Sequence, residues 1–247
     1  MITTHTLGQA NDLSNATKHT AKTNLTTVYA DSVMEQVAFN HRLFGLDIVS
    51  AETTHNTEWF GSCSYFAALS PDTTLIPTLH VTELAAQIKK AEQAGYQCKA
   101  AIIGPVSLLQ TLRFETDALR LQYIDKILPL YAKLLCELGS QSLTWLQLDE
   151  PMLTQPLSKE WRHAFRTSYF KLQRAPLKLM VATCFGALGQ NLQLACQLPV
   201  QALHIDALEP SQMTRVIDWL PRHKTLSLGI IDGQNLAKAD LTGLLAK

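Results

Sequence analysis

From residue 46 onward the apolar positions of the chain keep changing period. Short runs of β-branched and aliphatic residues, which suit strands, alternate with longer stretches whose apolar residues recur every three or four positions, which suit helices. The strand-like runs are "LDIVSAE" (46–52), a weaker "TLIPTL" (74–79), "CKAAIIGPVSLL" (98–109, interrupted by Gly104-Pro105) and residues 143–149. They continue with "LKLMVATCF" (177–185), "VQALHIDAL" (200–208) and "KTLSLGIIDG" (224–233). Helices are predicted over 82–95, 115–139, 158–171, 188–197, 210–219 and 235–247. In the first, Leu84, Ile88 and Ala91 share a face and Gly95 is placed to cap the C-terminus. In the second, Pro129 predicts a kink or a break into two helices.

Strands alternating with helices mean parallel βαβ units. No GxGxxG follows the first strand, which argues against a dinucleotide-binding sheet. Apolar strands that end on polar residues fit a (β/α)8 TIM-like barrel, here with a degenerate first strand and no evident eighth strand. Residues 1–30 are polar and rich in Thr and Asn, so an irregular N-terminal segment is expected there. Residues 31–247 are expected to form one barrel domain.

Composition narrows this picture in three ways. Hydrophobic residues make up 47% of the 247 and charged residues 17%, enough for a sizeable core. Lys+Arg and Asp+Glu balance at 21 each, which argues against a nucleic-acid partner. No run approaches the ~20 apolar residues that span a bilayer, so no membrane partner is expected. The five cysteines, Cys63, Cys98, Cys136, Cys184 and Cys196, contain no CxxC pair; an odd count without a compact framework fits a reduced, cytoplasmic protein.

In a parallel α/β protein, ligands sit at the C-terminal ends of the strands. The polar residues expected there are Glu52, Ser107, Asp149 with Glu150, Cys184, Asp206 and Asp232. A single acid at a strand end is ordinarily a helix cap or a solvated loop residue. Several acids converging on one mouth repel one another unless a cation or an ammonium group arrives. His204 lies two positions before Asp206, so both side chains point to one side of the strand; a satisfied core histidine is the ordinary meaning. Within "TWLQLDEP" (144–151), period-2 alternation sets Leu146 and Leu148 on one face and Gln147 and Asp149 on the other. Asp149 and Glu150 then point to opposite faces, a poor acid/base pair for a barrel hydrolase.

These motifs, taken in order, resemble the N-terminal barrel of cobalamin-independent methionine synthase. The resemblance rests on "MITTHTLG" at the start, "EWF" (58–60), "IIGPVSLL" (102–109), "WLQLDEPML" (145–153), "LMVATCFGAL" (179–188), "ALHIDAL" (202–208) and "LSLGIIDGQN" (226–235). It implies a (β/α)8 barrel related to enzymes that transfer a methyl group from 5-methyltetrahydropteroyl-polyglutamate to homocysteine. The family carries two such barrels, and only the C-terminal one holds the catalytic zinc, through a His, two Cys and a Glu. Its His-x-Cys stretch corresponds here to Ala182-Thr183-Cys184, and its Glu to Asp206. The last Cys belongs to an eighth strand that is not evident here. Cys184 and Asp206 are thus at most the remnant of a metal site, and four-coordinate zinc needs more. No cofactor is expected on this chain.

The N-terminal barrel's own features are also reduced. "LGQANDLSNATKH" stands where the family has a basic folate-tail segment, and "WFGSCSYF" (59–66) lacks the acid and the His of the family's version. The resemblance implies that the aspartate of "LQLDEP" meets the amino group of an amino-acid ligand, because a carboxylate makes a charge-assisted bond to an ammonium in a partly dry site. Two readings follow. One is a methionine-synthase-related domain that binds an amino acid or a folate through Asp149, Glu150, Ser107 and Asp232. It would not be catalytic alone, and would depend on a separate zinc-barrel protein or on self-association. The other is a ligand-binding or scaffold module that kept the barrel and lost the zinc chemistry.

Overall fold

A computed structural model describes residues 48–51, 66–67, 78–79, 82–93 and 95, and then 97–229 apart from 113, 142, 185 and 207–209. Glu52, Asp232, the "EWF" stretch, residues 1–30 and the helix expected over 235–247 lie outside the described residues.

The strands are β1 (Ile48–Ala51), β2 (Phe66–Ala67), β3 (Thr78–Leu79), β4 (Gln97–Ile103), β5 (Leu143–Asp149), β6 (Leu179–Ala182), β7 (Ala202–Asp206) and β8 (Thr225–Gly229). The helices are α1 (Thr82–Gln93), α2 (Pro105–Thr111), α3 (Asp117–Gln122), α4 (Ile124–Gly139), α5 (Lys159–Leu172), α6 (Leu192–Gln197) and α7 (Pro210–Trp219). β1 and β4 to β8 form a six-stranded sheet in the order β1-β4-β5-β6-β7-β8, every pairing parallel. The short strands β2 and β3 pair antiparallel with each other. Helices intervene between consecutive strands from β4 to β8, as parallel neighbours require.

The sheet has two chemically different faces. Cys98, Ala100 and Ile102 of β4, Leu146 and Leu148 of β5, Leu179 and Val181 of β6, and Leu203 and Ile205 of β7 are buried in one core with the helices. Leu134, Leu135, Phe165, Leu194 and Val216 reach them from the helix side. The alternate residues take the opposite face. Register sets Ala101 beside Gln147 and Ile103 beside Asp149, then Gln147 beside Met180 and Asp149 beside Ala182. The same row runs on through His204 to Ser227, and one step further Asp206 lies beside Gly229.

Three element boundaries differ from those expected. Residues 98–109 are not one interrupted strand: β4 ends at Ile103 and Pro105 opens α2, where a missing N–H costs nothing. The long helical region breaks at Tyr123 rather than at Pro129, which sits inside α4. Pro129 and Asp125 are both exposed, so the carbonyl deprived of its i+4 donor lies on the solvent side. The sixth strand is only four residues long, and the helix after it begins as a 3-10 turn, Gly189–Asn191. Gly95 has φ 77° just past α1, as a C-terminal cap requires. Among the described residues, no helix is long and apolar enough to cross a membrane.

Candidate functional site

The tip of β5 sends its two carboxylates into different surroundings. Glu150 is wholly buried. It accepts hydrogen bonds from the backbone N–H groups of Val106 (3.2 Å) and Ser107 (2.8 Å) and from the Tyr169 hydroxyl (2.9 Å). Those two amides are orphan donors in the first turn of α2, so a carboxylate from the next strand supplies a cap that α2 lacks in its own sequence. The Ser107 hydroxyl also bonds to Glu150 and accepts from the amide of Met152 at 3.3 Å. Burial pushes the Glu150 pKa up to about 7 against the pull of these donors. A methyl group added at Gly104 would fall inside contact distance of the Glu150 carboxyl. The glycine of "IIGP" is therefore required by the acid of "LDEP".

Asp149 is half-buried and lies on the other face. It accepts a hydrogen bond from Gln147 Nε2 at 2.7 Å, and Gln147 Oε1 accepts one from Lys99 Nζ. Lys99 and Gln147 are each 1% exposed. Burial raises the Asp149 pKa to about 6, while the Gln147 bond and the Lys99 charge pull it down.

Cys184, just beyond β6, is the meeting point of the expected site. Burial first, and then the carboxylates of Asp149 and Asp206, push its thiol well above the usual range. The structure therefore brings Asp149, Cys184 and Asp206 into one neighbourhood, with Glu150 and Ser107 behind it in the wall. Asp206 accepts from the amide of Gly186 at 3.4 Å. Below it His204, 2% exposed, shares a hydrogen bond of 2.8 Å with Ser227 through Nδ1. A Cβ at Gly229 would lie 3.2 Å from His204 Nε2 and 3.3 Å from Asp206 Oδ1, so only a glycine fits there without displacement.

The residues gathered here do not make a zinc site. Among the described residues, no three His, Cys, Asp or Glu side chains are placed to hold a metal ion. The described residues do not fit the metal. Three contributors escaped the sequence reading: Lys99, Gln147 as a bridge, and Tyr169. The signal for the first was present, since a lysine in the apolar run "CKAAII" is buried with its whole strand.

What these side chains can do together is limited and specific. They offer a partly dry carboxylate at a strand end, flanked by a protonated thiol and a second acid, on a base of fixed polar contacts. Such a mouth favours a ligand that carries an ammonium group. Residues 45–247 match the family model described as cobalamin-independent synthase, N-terminal domain. Among solved structures, a methyltransferase from Methanosarcina mazei is similar with TM-score 0.62 and 13% identity, over 78% of this chain and 68% of that one. A B12-independent methionine synthase from Shewanella sp. W3-18-1, in complex with selenomethionine, is similar with TM-score 0.58 and 17% identity, over 82% and 70% of the two chains. At these identities the structural matches speak for the fold.

Proposed function

The chain belongs to the cobalamin-independent synthase family through its N-terminal domain, and from that premise we propose that it is an amino-acid-binding relative of methionine synthase that does not turn over by itself. In this reading the parallel sheet is part of a (β/α)8 barrel formed by residues 31–247. The ligand sits at the C-terminal strand ends. Asp149 receives its ammonium group, Asp206 and Asp232 add negative potential, and Glu150 with Ser107 hold the wall from which Asp149 projects.

The observation that carries the proposal is the half-buried carboxylate of Asp149, whose pKa burial raises to about 6. A carboxylate kept partly dry gains more from an ammonium than one in water does. The selenomethionine in the Shewanella relative, an α-amino acid, is in keeping with that choice. In the family the resemblance points to, zinc activates the thiol for methyl transfer, and the described residues do not fit a metal. The catalytic step therefore falls to a separate zinc-bearing barrel, with the amino acid or folate held here.

Isothermal titration of the purified, zinc-supplemented protein with L-homocysteine tests this, with zinc content measured on the same sample. Saturable binding that weakens at least tenfold in Asp149→Asn is the expected result. No heat of binding in the wild-type protein would overturn it and leave the scaffold reading.

A further inference from the structure

We propose that Lys99 is a positioning residue: acting through the side-chain amide of Gln147, it fixes which oxygen of Asp149 is presented at the strand ends. The three side chains lie on one face of β4 and β5 and form a single hydrogen-bonded line. Lys99 Nζ donates to Gln147 Oε1, and Gln147 Nε2 donates to Asp149 Oδ1 at 2.7 Å. An amide between an ammonium and a carboxylate has only one good orientation. Reversed, it would set its NH2 against the ammonium and its carbonyl against the carboxylate, leaving buried donors facing donors and acceptors facing acceptors. The charge at the deep end of the line therefore decides the amide's direction at the shallow end.

The consequence reaches the site. Asp149 Oδ1 is committed inward, and Oδ2, which receives no hydrogen bond among the described residues, is the oxygen left for a ligand. The other groups facing this carboxylate do not do the same work. Tyr169 of α5 bonds to Glu150 instead, and Cys184, its thiol pushed up by burial and by Asp149 and Asp206, brings no charge to orient Asp149. Lys99 supplies the compensating positive charge, at 1% exposure. This inference rests on the proposed function only for its effect on binding, because the line of bonds exists without a ligand.

The test is a 13C-carboxylate NMR titration of Asp149 in the full chain, with the resonance assigned by its loss in Asp149→Asn. The variants Lys99→Met, Gln147→Met and Lys99→Arg are measured beside wild type, with folding checked by circular dichroism. The expected result is a midpoint raised by about one pH unit, tenfold in proton affinity, in both methionine variants. Lys99→Arg restores most of the shift, and L-homocysteine affinity at pH 7 falls in the same order. A midpoint that moves in Lys99→Met but not in Gln147→Met would overturn the inference, since the lysine would then act by field alone. An unmoved midpoint in both would overturn it too. Should Lys99→Met fail to fold, Gln147→Met carries the test by itself. Raised midpoints in a protein that binds no homocysteine would support the line of bonds and overturn the proposed function.

Discussion

The two faces of strands β4 to β7 are built from neighbouring residues yet make opposite demands. On the helix face, Leu146, Leu148, Val181, Leu203 and Ile205 need only volume and shape, and dry packing satisfies them. On the other face, Lys99, Gln147 and His204 are nearly as buried and Asp149 is half-buried, but each must find a partner of the right polarity. Small residues on that face, Ala101, Ala182 and Ala202, leave room for the long polar chains to cross it. One face thus stores stability in bulk. The other holds fewer interactions, each directional, and bears the candidate site. Asp149 and Glu150 condense the contrast into two adjacent residues, one saturated by internal donors and one with an oxygen to spare.

Substitutions can break this contrast in order of expected size. The largest effect should come from Leu148→Ala on the helix face, which is fully buried and should cost about 3 kcal/mol as a cavity. A shifted urea midpoint with unchanged slope would register it, and a loss under 1 kcal/mol would mean that this face is loosely packed. Next is Gly104→Ala, which is expected to cost about 2 kcal/mol by forcing Glu150 off the α2 amides. Amide hydrogen exchange at Val106 and Ser107 should speed up in that variant, and unchanged rates there would exclude the cap.

The smallest effect, Asp149→Asn, should carry the opposite sign. The folded pKa of Asp149 is raised to about 6 from 3.8, so the folded state holds a proton that the unfolded chain has released between those values. Its contribution to stability is full below pH ~4 and declines as pH rises toward 6. Glu150, raised to about 7, acts in the same direction. Asp149→Asn should therefore gain about 1–2 kcal/mol over wild type above pH 7, a value reduced for partial exposure, and nothing at pH 3.5. Parallel stability curves across pH 3.5–8 would show that this carboxyl does not titrate as described.

The helix face was the legible one. Its periodicity alone places the cores of β4 to β8, the helical regions between them except α2, and the cap at Gly95. Element lengths followed less well, because pattern says little about where a strand hands over to its loop: Pro105 reads as a break until it is seen to start α2. Pro129 misleads for a related reason, since an exposed proline near the start of a helix forfeits a bond that water replaces. On the polar face, the sequence marks Asp149, Cys184 and Asp206 as strand-tip residues, and the structure does gather them. It could not reveal that Glu150 is spoken for, because its donors come from residues 106, 107 and 169. Lys99 and Gln147 show period-2 alternation as plainly as the leucines do, but their pairing depends on the register between two strands.

The Glu150 bonds also order events in time. They join segments 44, 43 and 19 residues apart, linking the start of α2, the tip of β5 and the body of α5. The two amide bonds need β5 docked beside β4, and the Tyr169 bond needs α5 folded back onto the tip of β5, so the full set closes only when both have happened. The carboxylate is thus a late contact of the folding route, and weakening it should hasten unfolding far more than it slows folding.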